Sequence, residues 1–192
     1  MEPASARDYA WIHDAPLFVA ACLTVVTGMT ADDVLADLCG DRGEVPMSGS
    51  TARFGVARLP SGSEMRVGVT AIPGGVLVVE DNGYVGAEPD VLARLSASGR
   101  AASMFWNVNE HNAFSFAENG QLLGFVDLFD AEDPGFAEEV GLPIELRDLF
   151  SAAGHEDADL HATGLAMVAT FTGVQVRRED VEGVDIDALR SR

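Results

Sequence analysis

Phe114-Ser115-Phe116-Ala117-Glu118-Asn119-Gly120-Gln121-Leu122-Leu123-Gly124-Phe125 decides the fold class. Asn-Gly between two alternating apolar runs is the sequence of a two-residue type I′ turn, because both central residues must take positive φ. A two-residue loop fixes the register of its strands. The spacing predicts strands over 112–118 and 121–128, with Phe116 opposite Leu123, Phe114 opposite Phe125 and Asn112 opposite Asp127. One face then carries Phe114, Phe116, Leu123 and Phe125 and is assigned to the core. The other carries Ala113, Ser115, Ala117, Leu122, Gly124 and Val126. These are mostly small, so either a helix packs closely there or the face is thinly covered and open to a partner.

Upstream, alternation marks further strands at 53–59, 66–72, 75–80 and 101–108, with Pro73-Gly74-Gly75 as a tight turn. A helix at 89–98 interrupts them, with Pro89 in its first turn and Val91, Leu92 and Leu95 inward. It is expected to bridge two parts of the sheet. Nearer the N-terminus, Pro16 and Gly28 bracket a run, Leu17 to Val26, that is apolar nearly all round. It reads as a buried helix. Thr30 then caps a second helix, with Asp32 and Asp33 in its first turn and Gly40 at its end. Residues 40–50 and 60–63 read as loops by composition.

Downstream, Ile144, Leu146, Leu149 and Phe150 form a short amphipathic segment after Pro143. A helix at 158–171 turns Leu160, Leu165, Val168 and Phe171 inward. Val174 and Val176 read as a short last strand, and the charged tail from Arg177 is expected to fray. The sum is one α+β domain over 1–192. It has an antiparallel twisted sheet of about five or six strands, an N-terminal helix pair and C-terminal helices packed on it, and mobile segments at 1–14 and 177–192. The predicted core includes Leu23, Val26, Leu35, Val78, Leu92, Leu95, Phe114, Phe116, Phe125, Leu149, Leu165 and Phe171.

Composition narrows function. All twelve basic residues are arginine, which excludes Schiff-base lysines and a phosphate loop of the G-x-x-x-x-G-K-[ST] kind. A net charge of −19 opposes phosphate recognition, so no nucleic-acid partner is expected. An acidic surface fits a basic partner, or the solubility bias of a GC-rich proteome. The run at Leu17–Val26 is too short to span a membrane. Residues 1–14 lack a positive n-region, so no secretory signal is expected and the compartment is read as cytoplasmic, with Cys22 and Cys39 reduced. The spacing of these cysteines suits neither a disulfide scaffold nor zinc.

Hydrolase, zincin and dinucleotide signatures are absent. Three polar constellations stand out. Glu80-Asp81-Asn82-Gly83-Tyr84 ends a buried strand. It would offer carboxylates for cation binding or acid–base work, or only a turn built by Asp, Asn and Gly. Trp106-Asn107-Val108-Asn109-Glu110-His111-Asn112 joins two strands. It would form a polar mouth beside an aromatic wall, or an Asx turn with a solvated histidine. Asp157 and His161 are spaced for one helix face, but a third metal ligand is not pointed to. The candidate ligand- or partner-binding residues are therefore Glu80, Asp81, Asn82, Trp106, Asn107, Asn109 and His111. No metal, cofactor or catalytic residue is assigned.

A longer series of segments carries a resemblance. It runs through Asp14-Ala15-Pro16-Leu17, Ala21-Cys22-Leu23-Thr24-Val25-Val26-Thr27-Gly28 and Val78-Val79-Glu80-Asp81-Asn82-Gly83-Tyr84-Val85-Gly86. It continues through Phe105-Trp106-Asn107-Val108-Asn109 and Phe116-Ala117-Glu118-Asn119-Gly120 to Thr172-Gly173-Val174. Over roughly 10 to 180 the chain resembles an actinobacterial, streptomycete-type family of domains of unknown function. The resemblance implies a bacterial cytoplasmic protein and carries no activity. Glu80-Asp81-Asn82-Gly83 also resembles a Glu-x-Asn-Gly signature of immunity proteins from toxin systems, without the tryptophan that belongs before it. The expected function is a non-catalytic macromolecule-binding protein of immunity or adaptor type, its partner another protein of basic character. The alternatives are a small-molecule-binding protein or enzyme with a polar site at the sheet end near Trp106, and a purely structural subunit. Oligomeric state is left open.

Overall fold

A computed structural model describes residues 4–40, 52–59, 62–133 and 135–190. The strands are β1 (Ala21–Val26), β2 (Arg53–Arg58), β3 (Glu64–Ile72), β4 (Gly75–Asp81), β5 (Arg100–Trp106), β6 (Asn112–Glu118) and β7 (Gln121–Asp127). The helices are α1 (Ala31–Cys39), α2 (Pro89–Leu95), α3 (Phe136–Glu139), α4 (Ile144–Ala153), α5 (Leu160–Thr172), α6 (Arg178–Glu182) and α7 (Ile186–Arg190). The class is α+β as expected, but the sheet has seven strands, in the order β2-β3-β4-β1-β5-β6-β7. Every described pairing is antiparallel.

The extra strand is the run read as a helix. β1 lies at the centre of the sheet, between β4 and β5, and all six of its residues are buried. A central strand covered on both faces loses its apolar–polar alternation, so period alone cannot separate it from a buried helix. Its β-branched Thr24, Val25 and Val26 suit the pleated conformation. Two three-stranded meanders flank it, β2-β3-β4 on one side and β5-β6-β7 on the other. As expected, α2 links the two parts.

Residues of one parity from β1, β4 and β5 build an aliphatic core with α1 and α2, including Val26, Val34, Leu35, Val78, Leu92 and Leu95. The opposite face holds the large side chains, Trp106, Met104, Phe114 and Phe116, under α5 with its Leu165 and Phe171. Loop 40–50 lies outside the described residues apart from Gly40, whose φ of +58° closes α1. Thr30 caps α1 as expected, and its exchange of hydrogen bonds with Asp33 completes a capping box. Val174 and Val176 are buried in irregular chain rather than in a strand. The tail does not fray from Arg177: α6, α7 and the turn between them bring Val181, Val184, Ile186 and Leu189 into the core, and α7 packs on β3 and β4. Near the N-terminus a 3-10 helix, Ala6–Asp14, buries Tyr9 and Ile12 against α5.

The hairpin has the predicted turn, with φ +52° at Asn119 and +82° at Gly120. Its register holds for Glu118–Gln121 and Ala117–Leu122, then slips, because Phe116 pairs with Gly124 and Phe114 with Val126. Leu123 is the extra residue of a β-bulge, which flips the parity of everything beyond it. Val126 takes the core position assigned to Phe125, and Phe125 is turned out to solvent. Gly124 makes this arrangement fit, since a Cβ there would lie 2.7 Å from the Phe116 ring. Leu149 is only partly buried.

Candidate functional site

Ala21 of β1 pairs with Asp81 on one side and Trp106 on the other, so the first two polar constellations lie at the same end of the sheet. Strand parity then divides them between faces.

Trp106 points to the face under α5. It is fully buried, stacks on His161 at 4.9 Å between ring centroids, and donates its Nε1–H to Phe18 O at 2.9 Å. It is therefore a core anchor and no wall of an open mouth. Burial pushes the pKa of His161 down. α5 begins at Leu160, capped by the Asp159 carboxylate accepting from Ala162 N–H at 3.0 Å. Asp157 precedes the helix and shares no helical face with His161. Among the described residues no group of three or more His, Cys, Asp or Glu is placed to hold a metal ion.

Glu80 points the other way and is also fully buried. Its Oε2 accepts from Val85 N–H at 2.7 Å and its Oε1 from Gly86 N–H at 2.8 Å. Burial raises its pKa to about 7, against the lowering effect of those amides. Cys22 lies beside it across the β1–β4 pair, its thiol pushed up by burial and then by the Glu80 charge. The loop closes on this carboxyl because Gly83 and Gly86 have no side chains. A Cβ at Gly86 would stand 2.0 Å from Thr24 Oγ1, and one at Gly83 2.6 Å from Glu80 Oε2. Glu80 thus pins the 82–87 loop and meets no solvent.

Asp81 binds Arg190 of α7 through two contacts of 2.9 Å. Asn82 takes the left-handed turn position, with φ +52°. In the β5–β6 turn, Asn107 Oδ1 accepts from Asn109 N–H at 2.8 Å, an Asx turn, and Glu110 takes φ +65°. His111 is exposed, with Nδ1 3.7 Å from Asp127 Oδ2.

Between these loops is a cavity of about 440 Å³. Tyr84, Phe105 and Phe125 supply its aromatic walls, with Ala87, Pro89 and Ala113 between them. Glu88, Asn107 and His111 are its polar groups. The rings of Tyr84 and Phe105 are 6.2 Å apart at 64°. The small-residue face of β6 is divided: α2 covers it at Ala117, and the cavity opens at Ala113. Of the sequence candidates, Asn107 and His111 line this cavity, and Glu80 holds the loop that carries Tyr84. Asp81 and Asn82 border a separate cavity of about 530 Å³ with Arg66 and Leu189, where Asp81 is engaged by Arg190. Tyr84, Glu88, Phe105 and Phe125 went unselected. Phe105 was accessible from alternation with Trp106; Phe125 depends on the bulge.

β7 is an outer strand of the sheet. Leu122, Leu123 and Phe125 are 40%, 45% and 57% exposed, and the strand carries no proline and no basic residue. The opposite edge, β2, is guarded by Arg53 and Arg58, paired with Asp32 and Glu64. Among the described residues no helix is long and apolar enough to cross a membrane.

These features define a two-faced antiparallel sheet protein with one guarded edge, one apolar edge and an aromatic cavity beside the latter. The chain belongs to a family of unknown function, DUF6461, matched over residues 2–184. No curated protein and no solved structure matches it.

Proposed function

We propose that the chain is a non-catalytic protein-binding module of adaptor or immunity type, acting in the cytoplasm of an actinobacterial-type cell, and that it engages a basic partner along β7. The apolar edge strand carries this reading. Unpaired strand edges are templates for another chain, and natural proteins blunt them with lysine, proline or inward charges. β7 carries no lysine or proline and has only its bulge at Leu123 and the terminal Asp127, whereas β2 is charged at both ends. Added strands bind through main-chain hydrogen bonds, with side-chain contacts for specificity. Glu118, Asp127 and Asp130 flank the apolar strip, and the net charge of −19 disfavours a second copy of the chain as occupant. The lysine-free composition supports the GC-rich source.

The test is affinity isolation from the producing host with the wild type, the double variant Leu123→Lys/Phe125→Lys, and Ile144→Lys on the exposed face of α4. A partner retained by the wild type and by Ile144→Lys but lost from the β7 variant is expected. A partner retained by all three, or none recovered with any of them, contradicts the reading.

A second reading, a small-molecule-binding protein or enzyme at this end of the sheet, draws on the 440 Å³ cavity and the His111–Asp127 pair. It would place the chemistry at His111 and Glu88 instead of Trp106. Native mass spectrometry of protein purified from its host tests it through a bound small molecule.

A further inference from the structure

We propose that the cavity bounded by Tyr84, Phe105 and Phe125 is a slot for an arginine side chain of the partner segment that adds to β7. The inference rests on the protein-binding reading and names the anchor of that interface. Phe125 belongs to both features: it projects from β7 and it lines the cavity. A side chain entering from an added strand reaches the cavity past this ring.

The chemistry of the walls selects the occupant. Aromatic rings attract cations through their quadrupoles, and arginine adds a flat surface that stacks. Glu88 is half-buried in the lining and makes no ion pair among the described residues, so its carboxylate is open to a guanidinium. Asp127 stands behind His111 at 3.7 Å and offsets that imidazole. No arginine lines the cavity. An anionic ligand would meet Glu88 and the field of a chain with net charge −19. Lysine is a weaker fit, because its compact, strongly hydrated ammonium loses more on entering an apolar slot.

The test uses the full-length, isotope-labelled protein in NMR titrations with N-acetyl-arginine methylamide, its citrulline and norleucine counterparts, and tetramethylammonium. The arginine probe is expected to shift resonances of Tyr84, Ala87, Phe105 and Phe125 in a saturable way. It should bind at least about tenfold more tightly than citrulline, which keeps the shape without the charge. Glu88→Gln should weaken arginine severalfold and leave citrulline unchanged. Citrulline or norleucine binding as tightly as arginine overturns the proposal. So do tetramethylammonium binding more tightly, which would assign the slot to a quaternary ammonium group, and shifts that spread over the acidic surface but miss the cavity. If the probes fail while Leu123→Lys/Phe125→Lys still abolishes partner capture, the slot is wrong and the β7 interface stands. If the probes bind but capture is indifferent to β7, the protein-binding reading fails instead.

Discussion

Glu80 has no exposure to water, and two backbone amides and the neighbouring Cys22 thiol are what steady its charge. Its pKa of about 7 lies above the ordinary 4.5, so the folded chain holds this proton more tightly than the unfolded chain. Stability therefore falls as pH rises from about 4.5 through about 7, and the penalty is complete above that window. A gap of this size corresponds to about 3 kcal/mol. Glu80→Gln should flatten that part of the profile. Urea denaturation at pH 5 and pH 8, wild type against variant, is the check; equal slopes in both proteins would contradict the assignment. Gly124→Ala should cost about 1–3 kcal/mol, because its Cβ would press on the Phe116 ring at 2.7 Å. Phe125→Lys, at an exposed site, should change stability by no more than about 0.5 kcal/mol. At this scale the sequence was readable in residue types and misleading in orientation. Glu80 and Trp106 stand out in the sequence as binding candidates, and both point into packed interior. Side-chain direction depends on strand parity, and a single inserted residue such as Leu123 reverses it.

Elements were legible where their signals are local. The Thr30 cap, the Asn119-Gly120 turn and the Gly173 helix end all lie where residue chemistry puts them. β1 was not, because its identity as a strand comes from β4 and β5 pairing on either side of it, and those partners lie fifty or more residues away in sequence. The tail was misjudged for a related reason. Its charges dominate the composition, while Val181, Val184, Ile186 and Leu189 at wide spacing do the packing. Deleting residues 177–192 should therefore lower unfolding stability by at least about 4 kcal/mol, since each buried aliphatic side chain contributes about 1.5–3 kcal/mol. Arg190→Ala, which releases Asp81 and the Pro16 carbonyl at an exposed site, should cost no more than about 1 kcal/mol. Denaturant melts of the two variants separate these outcomes.

For the whole molecule, charge and topology act together. A field from a net charge of −19 steers basic partners, so association should slow as salt is raised, with dissociation changing less. The two sheet edges differ in kind, and only β7 combines unpaired backbone, exposed apolar side chains and an adjoining aromatic cavity. That asymmetry lay beyond the sequence, which placed Phe125 in the core and so concealed both the strip and the cavity wall. The most direct measurement is site-resolved photo-crosslinking in the producing cell, with a photoreactive residue at Leu123 on β7 or at the still more exposed Ile144 on α4. The account predicts a discrete adduct from position 123 alone, to a different protein, at a segment carrying arginine. Adducts only to a second copy of the chain, the same adducts from both positions, or none from position 123 would contradict it.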